Sequence, residues 1–100
     1  MPLLLTVMAR TTDWRAVEAA HRTWLLACAR ANGATYVGLY RNAKDAAQVL
    51  LIAELPDHEA VQNLVRAAST QLGELLVRGS ADDRLWETTA SGSVGTLSGR

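Results

Sequence analysis

His21 is the side chain with the clearest chemical potential in this 100-residue chain. Val17, Trp24 and Cys28 stand at helical spacing from it, so the imidazole falls on an apolar stripe where Leu or Ala would be simpler. A buried imidazole needs a hydrogen-bond partner, because an unsatisfied buried polar group costs about 1–3 kcal/mol. One reading makes His21 a general acid/base, or a donor that orients a ligand, facing a pocket. The other makes it a satisfied or half-exposed histidine at the border of the stripe, beside Glu18 and Arg22.

The aromatic residues divide in the same way. Trp14 and Trp24 lie ten residues apart, nearly on one helical face, and Trp86 sits near the end of the chain's last apolar run. Such residues are core packing, or they line the cavity of a flat aromatic ligand. Tyr36 and Tyr40 share a parity, with Gly38 between them. Facing the helices, they would flank a gap suited to a phenol or quinone; facing away, they would be interface residues. Cys28 is a small core residue or a further lining residue. The candidate site is therefore His21 as the catalytic group, with Trp24, Tyr36, Tyr40, Trp86 and Cys28 as substrate-binding residues.

Other chemistry finds little support. Arg41 suits a carboxylate or a solvated edge, His58 an exposed first turn, and Asp82, Asp83 and Arg84 a solvated loop. Two distant histidines and a single cysteine make neither a ligand set nor a disulfide, so no metal and no cofactor are expected. There is no Gly-rich phosphate loop, no G-x-S-x-G elbow and no cysteine pair.

The elements that must position these residues follow from periodicity. Residues 3–10 read as a strand, and Thr12 or Asp13 can cap a helix over 14 to about 31, with Trp14, Val17, Trp24, Leu25, Cys28 and Ala31 apolar. Asn32-Gly33 supplies its stop. Residues 34–41 and 48–55 read as strands around a polar turn. Asp57 caps a second helix from 58, whose carboxyl half Gly73 weakens. A loop over 79–83 precedes a last strand over 84–89, and 91–100 reads as a flexible Ser/Gly-rich tail. This β-α-β-β-α-β order folds as a four-stranded antiparallel sheet with both helices on one face, strands one and three central.

Composition bounds the function. Ten basic and ten acidic residues leave no net charge, and no basic field calls for nucleic acid or an anionic membrane. At 49% hydrophobic and 20% charged, the chain suits one folded domain. The opening MPLLLTVMAR lacks a basic leader and is too short to span a membrane, so a cytoplasmic location is expected.

The sheet's other face carries the strongest expectation. Val49, Leu51, Ala53 and Leu55 occupy one parity of the third strand, yet Leu50 and Ile52 occupy the other, and Leu4 and Met8 do the same in the first strand. Leaving these wet would forgo about 1.5–3 kcal/mol each and invite aggregation. A second subunit, sheet against sheet, is the expected cover, since twofold pairs are the commonest oligomers.

Length, element order, this apolar second face and the PDHEAV start of the second helix together resemble the dimeric α/β-barrel superfamily. Its small members include antibiotic-biosynthesis-type monooxygenases, haem-degrading monooxygenases, polyketide cyclases and stress-responsive barrel proteins. The resemblance implies a ferredoxin-like α+β domain over 1–90, a homodimer through the sheet face, and a small apolar or aromatic ligand held between helices and sheet. It implies a cofactor-independent monooxygenase or cyclase, or a non-catalytic ligand-binding or regulatory module. His21 and Trp24 share the first helix, where the haem-degrading pattern of Asn, Trp and ligating His does not place them, so haem is not implied. Quinone-forming members use Asn, Trp, Tyr and Arg around a phenol, types present here as Asn63, Trp86, Tyr36 and Arg41.

Overall fold

The computed structural model describes residues 2–88. Its sheet is antiparallel, with strands in the order β2-β3-β1-β4. β1 (Leu3–Arg10) and β3 (Gln48–Leu55) are central, as their two-sided apolar character requires; β2 (Tyr36–Arg41) and β4 (Asp82–Glu87) are the edges. The expected tail over 91–100 lies outside the described residues.

Register decides which side chains meet the helices. Leu3 pairs with Leu55, Leu5 with Ala53 and Ala9 with Val49, and all six are buried under the helical layer. β2 adds Val37 and Leu39 to that face through its pairing with Ala53 and Leu51. The opposite parity carries Leu4, Thr6 and Met8, then Leu50 and Ile52, then Tyr36, Gly38 and Tyr40, then Arg84 and Trp86.

The first helix runs in three joined segments: α1 (Trp14–Ala20), a π-helical turn (His21–Leu25) and α2 (Leu26–Ala31). Asp13 starts it, its carboxylate accepting from the Ala16 N–H at 3.1 Å, which satisfies a free first-turn donor. Asn32 stops it, with Gly33 following at φ 85°, a region an L side chain resists. The π turn was not expected, and it changes the buried face. Residues 17, 25 and 29 are buried, whereas Ala31 is exposed and Trp24 and Cys28 are half-buried. The wider turn, closed by the Leu26 N–H on the His21 carbonyl, keeps four-residue steps in line where a regular helix would rotate them away.

α3 (His58–Leu72) starts at Asp57, which accepts from the Ala60 N–H at 2.9 Å, and it stops at Gly73, the residue expected to weaken it. β4 begins at Asp82, two residues before the expected strand, because the Leu3–Met8 stretch of β1 is free to pair that far. Leu25, Leu55 and Leu64 are the largest fully buried side chains and join one helix, the sheet and the other helix in a single core. Among the described residues no helix is long and apolar enough to cross a membrane.

Candidate functional site

The helical layer does not close completely on the sheet. A cavity of about 350 Å³ lies between them, a size in the lower range of small-molecule pockets. Leu5, Val7 and Leu51 form its floor; Val17, His21 and Leu25 come from the first helix; Leu64, Ala68 and Leu72 come from α3. The segment after α3 supplies the end wall with Val77, Arg78 and Gly79. The lining is almost wholly apolar. Ser69, Arg78, Asp83 and His21 are its polar exceptions.

His21 sits where α1 gives way to the π turn, a kind of helix irregularity found frequently at functional sites. Its Nδ1 is buried and has no hydrogen-bond partner among the described residues. Burial pushes the imidazole pKa down, with Glu18 pulling weakly the other way, so the ring is neutral at pH 7. A neutral imidazole in the wall of an apolar cavity can accept a proton from a hydroxyl or donate one to an oxygen, as its tautomer dictates.

The other expected site residues do not join His21 in the cavity lining. Trp24 and Cys28 lie half-buried against the hydrophobic core, and the Cys28 carbonyl accepts from Asn32 Nδ2 at 2.9 Å. Tyr36 and Tyr40 face away from the helices, their hydroxyls hydrogen-bonded to each other over Gly38. That bond raises the pKa of Tyr36. A Cβ at Gly38 would stand 2.6 Å from the Tyr36 oxygen, so the two rings fold into the space a side chain would take. Trp86 shares this outer face, its indole N–H donating to Thr6 Oγ1 at 3.0 Å. The open alternatives for the two tyrosines are thereby resolved toward the outer face.

The residue types matched to the quinone-forming pattern are equally dispersed. Asn63 donates to the Asn32 side-chain oxygen at 3.3 Å, and the Arg41 guanidinium lies 5.1 Å from the centre of the Trp14 ring, a cation–π distance. Asp82 and Asp83 belong to β4 rather than to a loop, and Arg84 pairs with Asp82 at 3.3 Å. Ser69, Arg78 and Asp83 were not singled out as pocket residues by sequence reasoning. Ser69 is a polar residue between apolar positions of α3, Arg78 lies in the irregular segment after it, and Asp83 reads as one acid of an ordinary turn.

Among the described residues no group of three or more His, Cys, Asp or Glu side chains could hold a metal ion. No protein-family model matches the chain, and no curated protein matches it in sequence. Solved structures do match in shape. Rv0793 from Mycobacterium tuberculosis is 18% identical with a TM-score of 0.68, over 93% of this chain and 100% of that one. SnoaB, a cofactor-independent oxygenase from Streptomyces nogalater, is 15% identical with a TM-score of 0.69, over 88% and 93%. A protein from Nitrosomonas europaea classed with the antibiotic biosynthesis monooxygenases is 12% identical with a TM-score of 0.74, over 92% and 94%. What this chain shares with them over nearly its whole length is the ferredoxin-like α+β fold.

Proposed function

We propose that this chain acts as a homodimer in which each subunit binds a compact apolar or aromatic molecule between its helices and its sheet, and oxygenates it. The observation that carries the reading is His21, a residue with a buried, unpartnered Nδ1, in the wall of an apolar cavity of about 350 Å³. A site made only for packing would put Leu there, since burying an unsatisfied imidazole nitrogen costs about 1–3 kcal/mol. A phenolic hydroxyl supplies the missing donor. The similarity to SnoaB, a cofactor-independent oxygenase, supports dioxygen as the co-substrate.

In this reading the neutral His21 takes the phenol proton, and the electron-rich phenolate gives up its electrons directly to dioxygen. One oxygen atom forms a new bond to the ring carbon opposite the hydroxyl. The other leaves as water with the hydrogen lost from that carbon and the phenolic proton. Phenol plus dioxygen becomes quinone plus water, with every electron supplied by the substrate.

Dimerisation is supported by the outer sheet face, which holds Met8, Tyr36, Tyr40 and Trp86, four of the six exposed large hydrophobic side chains among the described residues. Each of the four is between 41% and 49% exposed, an arrangement that a partner sheet would bury.

A second reading, binding without turnover, is favoured by one observation: Asn63, Tyr36, Trp86 and Arg41 do not line the cavity. Oxygen uptake with phenols and naphthols separates the two. Quinone formation that depends on His21 supports the oxygenase. Tight naphthol binding with no oxygen consumed leaves the binding module, and no binding by any member of the panel overturns both.

A further inference from the structure

We propose that residues 73–81, the strap between α3 and β4, are a hinged wall of the cavity that opens as a unit when the Thr11 hydroxyl releases the Leu75 carbonyl. Leu76, Val77, Arg78, Gly79 and Ala81 of this strap all line the cavity, so moving it uncovers the interior without disturbing the sheet or either helix.

The strap's attachment is concentrated at one place. Apart from the Gly73 and Leu75 N–H groups, which donate back to the Ser69 and Leu72 carbonyls of α3 at 3.2 and 2.9 Å, every hydrogen bond among the described residues that ties it to another element lands on Arg10, the end of β1, or on Thr11 beside it. The Val77 N–H donates to the Arg10 carbonyl at 2.7 Å, the Arg10 N–H donates to Ser80 Oγ at 3.0 Å, and the Thr11 hydroxyl donates to the Leu75 carbonyl at 2.6 Å. Leu75 and Leu76 add partly buried contact with the core. At its far end Gly79 has φ 78° and nothing within reach of a Cβ, which leaves that turn room to swing. Segments held by few contacts at one edge open locally at less cost than the fold as a whole.

Thr11 is the latch. It is 2% exposed, the buried polar side chain among the described residues, and its single hydroxyl works in both directions. While donating to Leu75 it accepts from the Asp13 N–H at 3.0 Å, and Asp13 is the residue that caps α1. One oxygen thus joins the strap to the start of the helix that carries His21. What passes the strap rests on the ligand reading above; the opening itself is a property of the chain alone.

Amide hydrogen exchange on the full chain tests the opening. Thr11→Val keeps the shape and removes the hydroxyl, and the Val77 and Arg10 amides, whose partners lie across the opening, are expected to exchange at least about tenfold faster while those of Leu5 and Leu51 are unchanged. Thr11→Ser restores the hydroxyl and is expected to return both amides to within about twofold of the parent. Ser80→Ala, a surface change that removes the Arg10 contact, is expected to speed them about threefold. Val77 and Arg10 amides that ignore Thr11→Val, or that rise together with those of Leu5 and Leu51, overturn the proposal. Stopped-flow binding of 2-naphthol then tests the gate: association and dissociation should both quicken by about tenfold in Thr11→Val, leaving Kd within about threefold. Unchanged rates across a loosened strap overturn it as a gate. A parent chain that binds no naphthol counts against the ligand class, and exchange still decides the strap.

Discussion

The imidazole of His21 is where stability and function pull apart. Its unpartnered Nδ1 makes it costly to the fold, so His21→Leu should raise stability by about 1 kcal/mol in urea denaturation while weakening naphthol binding at least tenfold. Loss of both together would mean that the ring is structurally satisfied. Protonation provides an independent check. Burial holds the folded-state pKa below the ordinary 6.5, so the unfolded chain binds the proton more readily. Stability contributed by the neutral ring is present above 6.5 and is lost as pH falls through the folded value. Melting temperature should therefore fall more steeply from about pH 7 to about pH 5 in the parent than in His21→Leu, and parallel curves would remove His21 from the acid response. The imidazole's place on a buried stripe was legible from Val17, Trp24 and Cys28. The companions of His21 were not, since helical spacing cannot tell a tryptophan that lines a cavity from one that leans on the core.

At the scale of elements, legibility tracked how local the cause is. Asp13 and Asp57 cap helices through their own nearby N–H groups, so type and position suffice to find them. Asp57→Ala should cost about 1 kcal/mol in urea denaturation, and a change under about 0.3 kcal/mol would show that α3 starts without it. The alternating β3 residues were equally plain, each buried position separated by a half-buried one. The π turn left no such mark, because HRTWL contains neither Gly nor Pro and its widening is fixed by what packs beneath it. Leu25 is buried as its spacing predicts, but so is Ala29, while Cys28 is only half-buried against the core and Ala31 is exposed. The start of β4 at Asp82 was hidden for a similar reason: two acids read as a turn until β1 supplies partners for them.

For the whole molecule, the apolar outer face was visible in both parities of β1 and β3, yet the side taken by Tyr36 and Tyr40 was not. β2 offers Tyr36, Gly38 and Tyr40 on one parity and Val37 and Leu39 on the other, and either could meet a helix. Only the pairing of Val37 with Ala53 settles it, a contact between residues sixteen apart in the chain. With the tyrosines outward, the outer face has a centre at Leu50, which pairs with both Tyr40 and Met8. A carboxylate there would lie unpaired in the middle of a sheet-on-sheet contact, where desolvating it is far costlier than at a rim. In an unassociated subunit the same side chain would point at water and cost the fold little. Leu50→Asp should therefore weaken self-association at least about a hundredfold while leaving the far-ultraviolet circular dichroism unchanged. Gly38→Ala should act in the same direction, more mildly, by displacing the two phenol rings from the space they share. Sedimentation equilibrium decides between the possibilities. A parent chain that dimerises at micromolar concentration beside a folded, monomeric Leu50→Asp variant places the contact on this face, whereas equal association of the two puts the dimer elsewhere.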